Sequence, residues 1–77
     1  MQIKVSGDTA FKASKNQFAV AATESGYSVA YSADKENWTV DSAAVVPAGE
    51  TLIYLGAMQY AWYKLSGNTD SDVTVIL

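Results

Sequence analysis

The 77-residue chain has no cysteine, no histidine, a single proline and few charged residues, 17% of the total. Without cysteine there is neither a disulfide framework nor a thiolate zinc site. Without histidine the commonest general base and metal ligand are missing. A serine nucleophile would have to rely on a lysine or carboxylate base, so composition argues against an enzyme. Five basic against eight acidic residues give a net charge of −3, the wrong sign for a surface that tracks phosphates. Nucleic acid is therefore not an expected partner, and no cofactor is expected. The opening residues, Met1-Gln2-Ile3-Lys4-Val5, lack the apolar core of a secretory signal. The longest apolar-leaning stretch, residues 52–65, is interrupted by Gly56, Gln59 and Lys64. It falls short of the roughly 20 residues of a membrane span. The expectation is a protein made in the cytoplasm, with no membrane partner.

What the chain does have is apolar surface: 49% of residues are hydrophobic and 12% aromatic. Its length allows one domain. Size scaling gives a folded surface of roughly 4,500 Å² against about 11,900 Å² for the open chain, near the lower limit for a self-sufficient core. A core-rich composition in so short a chain leaves apolar side chains with nowhere internal to go.

Hydrophobicity runs with a period of two. Ile3 and Val5 alternate with Gln2 and Lys4; Tyr27, Val29 and Tyr31 with Ser28, Ala30 and Ser32; Val73, Val75 and Leu77 with Thr74 and Ile76. Turn signals recur every ten residues or so, as in an all-β sandwich or small barrel. The expected fold is a small antiparallel β-sandwich or barrel of 6–8 short strands, near residues 2–6, 9–13, 17–22, 27–32, 37–41, 50–55, 60–66 and 72–77. Residues 10–22 carry helix-favouring alanine and lysine, but Phe11, Phe18 and Val20 favour strand and Asn16 breaks the run. Two hairpins are expected. One folds about residues 33–36 and sets Tyr31 opposite Trp38; the other turns at Pro47-Ala48-Gly49. A C-terminus as apolar as Val75-Ile76-Leu77 is expected to be tied into a sheet.

Three polar motifs read as turns. Asn37-Trp38-Thr39 matches a glycosylation sequon by letters alone. Asn68-Thr69-Asp70-Ser71-Asp72 has the alternating oxygens of a calcium loop, but Val73 stands where that loop needs glycine. In Ser32-Ala33-Asp34-Lys35-Glu36-Asn37-Trp38, Asp34 is placed to bind backbone amides while the tryptophan packs over the hairpin. That segment resembles the S-x-D-x-G-x-T-W box of sialidase-type propellers, with Glu36 at the glycine position and the tryptophan one residue early, and, with Tyr31, the Y-S-x-D-G-x-x-W hairpin of discoidin-like domains, matched except for its glycine.

The aromatic residues pose the functional question. Tyr54, Tyr60, Trp62 and Tyr63 fall within ten residues, and Trp38 is available to join them. In residues 52–55 both faces of the strand are apolar, Leu52 and Tyr54 on one side, Ile53 and Leu55 on the other; the same holds for Tyr60 and Trp62 opposite Ala61, Tyr63 and Leu65. A domain with one core leaves one such face over. The expected interface residues are Leu52, Tyr54, Tyr60, Trp62 and Tyr63. The rival expectation is a glycan platform of Trp38, Tyr60 and Trp62, and the third is an entirely internal cluster.

Residues 31–77 also resemble small all-β virion proteins of tailed bacteriophages. The matching elements are Tyr31-Ser32-Ala33-Asp34 with Trp38, Val46-Pro47-Ala48-Gly49-Glu50, and Tyr63-Lys64-Leu65-Ser66-Gly67-Asn68-Thr69 before a valine-rich last strand. The resemblance implies a structural, non-enzymatic role in a virion, as a capsid decoration or cement protein or in a fibre or tail part. Its implied partners are the major capsid protein, another virion protein, or copies of itself in a homo-oligomer.

Overall fold

A computed structural model describes residues 1–58 and 61–77. Among them are eight strands: β1 (Gln2–Val5), β2 (Phe11–Lys12), β3 (Gln17–Val20), β4 (Tyr27–Ser32), β5 (Thr39–Val46), β6 (Leu52–Leu55), β7 (Trp62–Ser66) and β8 (Val73–Ile76). They form two four-stranded sheets with antiparallel pairing, β1-β8-β3-β6 and β2-β7-β4-β5. The first holds both ends of the chain and is called here the terminal sheet; the second is the hairpin sheet. The fold is an all-β sandwich, as the period-two pattern implied. Residues 10–22 supply β2 and β3 and no helix.

Alternation within each strand sends one set of side chains between the sheets. The largest fully buried ones, Leu65, Val20, Val29 and Val75, come two from each sheet. Burying each contributes about 1.5–3 kcal/mol. At one end the core is aromatic: Phe18 stacks on Tyr54 at 5.0 Å and meets Phe11 and Tyr63 at 5.2 Å each. Ring pairs of this geometry add about 0.5–1.5 kcal/mol beyond their area. The accessible surface, 4420 Å², agrees with the scaling expectation for one ordinary domain.

The connections depart from the sequence reading. Among consecutive strands, β4 and β5 alone are hydrogen-bonded neighbours; the other links among described residues run between sheets. The expected second hairpin is instead a corner carrying the chain from β5 in one sheet to β6 in the other. Its Gly49 takes φ +85°, and the Gly49 N–H donates to the Thr23 carbonyl at 2.7 Å. The turn is thus anchored on the β3–β4 link, which holds β6 beside β3 rather than beside β5. Pro47, which has no N–H to give, follows directly on β5, an edge strand.

The first hairpin forms, but with another register. Tyr31 faces Thr39, not Trp38. Strand β5 continues to Val46, beyond the expected 37–41, and carries a bulge. Ser28 pairs with Val45 and Ala30 with Val40, so two steps along β4 match five along β5. The bulge presents Asp41 to the core side, where its carboxylate accepts the Tyr54 hydroxyl at 2.8 Å. Strand β8 lies between β1 and β3, and the Leu77 N–H donates to the Met1 carbonyl at 2.7 Å. The apolar C-terminus is indeed tied into a sheet.

Candidate functional site

Strand β6 is an edge strand whose side chains alternate between core and solvent. Leu52 and Tyr54 face inward, because Tyr54 lies opposite Phe18 and stacks on it. Ile53 and Leu55 are then forced outward, and each is 70% exposed. Ala19 of β3 lies opposite both Ile53 and Ile76, giving the row Ile53–Ala19–Ile76 across three strands. Ile76 is 51% exposed. Small Ala19 leaves a groove of about 240 Å³ between the two isoleucines, with Lys15 and Gln17 among its lining. This apolar row is the leading candidate surface.

The opposite side of the molecule is chemically different. In the hairpin sheet Trp62 lies in register between Lys12 and Ser32 and points away from the core. Lys64, two residues on, shares that outer face. The Lys35 ammonium sits 4.4 Å from the centre of the Trp62 ring and that of Lys12 5.4 Å, while Lys64 lies 4.5 Å over Trp38. The β4–β5 turn sets Lys35 in place. Ser32 Oγ accepts the N–H groups of Asp34 and Lys35; Asp34 Oδ1 accepts those of Glu36 and Asn37; and the Asn37 side chain donates to Asp34 Oδ2. The Asn37 amide, followed by Glu36 and then the side chains, holds the Asp34 carboxyl well below its usual range. Lys35 itself takes φ +67°, so the left-handed position of this turn is Lys35, not Glu36.

The expected interface residues do not share a surface. Leu52, Tyr54 and Tyr63 belong to the core side; Tyr63 is 2% exposed and its oxygen accepts the Met58 N–H at 2.8 Å. Trp62 belongs to the outer hairpin-sheet face. Tyr60 lies outside the described residues. Of the expected glycan platform, Trp62 and Trp38 border the same lysine-bearing face. Sequence reasoning left Ile53, Leu55 and Ile76 off the interface. Ile76 was legible, since Val73, Val75 and Leu77 claim the inward positions of the last strand. The lysines were not, because nothing local says which strands lie side by side.

A third feature is a cleft of about 320 Å³ at the aromatic end, lined by Tyr31, Tyr54, Tyr63 and Asp41 with Gly56 and Met58. Burial and the Asp41 carboxylate, which accepts the Tyr54 hydroxyl, push that hydroxyl well above its ordinary pKa. Asp41 in turn also accepts the Ala43 N–H at 3.0 Å, a bond that holds the bulge.

The segment with calcium-loop lettering is a clasp between loops. Asp70 accepts the N–H groups of Glu24 and Ser25 and the Ser25 hydroxyl, and Asn68 donates to the Gly7 carbonyl at 2.8 Å. The Ser25 hydroxyl and then the Glu24 amide hold the Asp70 carboxyl below its usual range. Among the described residues no three metal-ligating side chains of the acidic, histidine or cysteine type converge. No protein-family model, curated protein or solved structure matches this chain.

Proposed function

We propose that this chain is a non-enzymatic assembly protein that docks through the outer face of its terminal sheet. The observation that carries the reading is the row Ile53–Ala19–Ile76 with Leu55 beside it, an apolar row whose Ile53, Leu55 and Ile76 are open to solvent and which begins on the edge strand β6. Residues of this kind bury favourably against a partner, at about 25 cal/mol for each Å² removed from water. The narrower form of the proposal is a bacteriophage virion protein of the decoration or cement type, bound to capsid protein or to its own copies. That form rests on the resemblance of residues 31–77 to such proteins. A partner that binds the folded state alone also stabilises it, by about 2.7 kcal/mol at a hundredfold excess over Kd.

The test is native mass at micromolar concentration for the wild type and for a double variant, Ile53→Glu with Leu55→Glu. Both sites are exposed, so the variant keeps its β-sheet spectrum. The expected result is a wild type that self-associates, or binds capsid lattices, and a variant that does neither. A wild type that stays monomeric and ignores capsids overturns the proposal. The rival reading, a carbohydrate-binding module, draws on the other face, where Trp38 and Trp62 stand.

A further inference from the structure

The outer face of the hairpin sheet gathers three of the five lysines of a chain whose net charge is −3. Lys12, Lys35 and Lys64 all reach over the rings of Trp62 and Trp38, at 4.4 to 5.4 Å from the ring centres. Trp62 and Lys64 are neighbours on one face of β7, about 7 Å apart along the strand. Both indoles are half-buried: each is held by the protein and still presents surface to solvent. Flat rings beside ammonium groups suit a ligand with an apolar ring face and an anionic rim.

The backbone singles out Lys35. It takes φ +67°, in the region where a side chain is strained and glycine is not. The backbone N–H bonds that Ser32 and Asp34 accept would form with a glycine here equally well, since the Lys35 side chain takes no part in them. What lysine adds at this position is its ammonium over Trp62.

We propose that this face binds an acidic polysaccharide, with Trp62 and Trp38 as ring platforms and Lys35, Lys64 and Lys12 as partners for its carboxylates. On binding, a lysine exchanges its ring contact for a charge-assisted hydrogen bond to the ligand, and the sugar takes up the indole surface. Nucleic acid offers the same pairing of rings and anions, but its phosphates are held best by arginine forks. The face carries Asp34 and Glu36 beside its lysines, and the chain has no arginine to grip phosphate in two places. A polyuronate, whose carboxylates take single lysine contacts while its sugar rings cover the indoles, fits lysines without arginine better. The inference deepens the carbohydrate-binding reading by naming the ligand class; it uses the face opposite the assembly row and does not depend on it.

The experiment titrates the protein with polygalacturonate, with neutral dextran and with oligodeoxythymidylate, following tryptophan emission and calorimetry. The expected result is saturable binding of the polyuronate alone, weakening as salt rises. Lys35→Gly is the decisive variant. It relieves the strained backbone, so it melts at or above the wild-type temperature. It also weakens polyuronate binding about threefold to fivefold, the scale of one exposed charge pair. Lys35→Gly binding as tightly as the wild type overturns the assignment of that residue and of the site built on it. Dextran bound as tightly as the polyuronate leaves a carbohydrate module standing but overturns its acidic specificity. Oligonucleotide bound as tightly as the polyuronate also overturns the proposal. Silence with all three ligands overturns both the site and the carbohydrate reading.

Discussion

Tyr27 and Tyr54 show how one residue type does two jobs in a small core. The Tyr54 hydroxyl finds Asp41 at the bulge, 2.8 Å away. The Tyr27 hydroxyl is buried without a hydrogen-bond partner among the described residues, on a side chain only 4% exposed. A buried hydroxyl that gives up water and gains nothing is unfavourable by about 1–3 kcal/mol. Tyr27→Phe removes that burden and keeps the ring. It is expected to stabilise the domain by roughly 1 kcal/mol, read as a raised urea midpoint at unchanged m. A lowered midpoint would mean that the hydroxyl has a partner after all.

Strand β8 decides whether the elements hold together. It sits between β1 and β3, and its inward Val73 and Val75 are buried, Val75 completely. Its neighbours in sequence do not lie beside it in the sheet, so no other strand can close the gap. Deleting residues 73–77 therefore removes two ladders at once. The expected outcome is global unfolding, seen as loss of the dispersed amide spectrum, and not a trimmed but folded domain. Strand β6 stands at the other extreme. It is an edge, four residues long, with half its side chains in solvent. Short edge strands limit pairing with foreign chains, yet apolar ones invite it.

For the molecule as a whole, a 77-residue domain is stable by roughly 4–12 kcal/mol, so small terms at its surface matter. Two of these set its pH range. Asp34 and Asp70 have carboxyls held below their usual values by amide and hydroxyl donors. The stability they contribute is complete above the unfolded carboxylate pKa of about 4 and is lost as pH falls below it. At the other end, burial pushes the Tyr27 hydroxyl up to about 12. Below about pH 10 the group leaves stability unchanged, and stability falls as pH rises toward the folded value, because the native state resists an ionisation that the unfolded chain allows. Melting temperature against pH should thus be flat between these limits and fall at both ends. Asp34→Asn is expected to lower the plateau and blunt the acid limb; an acid limb of unchanged depth would count against its role as the clasp of the β4–β5 turn.

The sequence by itself determined the class of fold and the place of nearly every strand. A period of two, broken by turn residues, has one physical reading, and β-branched and aromatic side chains at the alternating positions reinforce it. It also located the surplus of apolar surface in residues 52–65, where strands are hydrophobic on both faces. It could not decide which face was surplus. That depends on the strand lying alongside: Phe18, brought opposite by the β3–β6 pairing, stacks on Tyr54 and turns Ile53 and Leu55 out. The same holds for the corner at Gly49, where a turn that locally resembles a hairpin is anchored instead to Thr23. The Lys35–Trp62 and Lys64–Trp38 contacts likewise join the β4–β5 turn to β7 and exist only once β4 and β7 are neighbours. Local patterns carry the direction of alternation; the choice of inside and outside is a contest between whole sheets for one small core, and only the tertiary structure settles it.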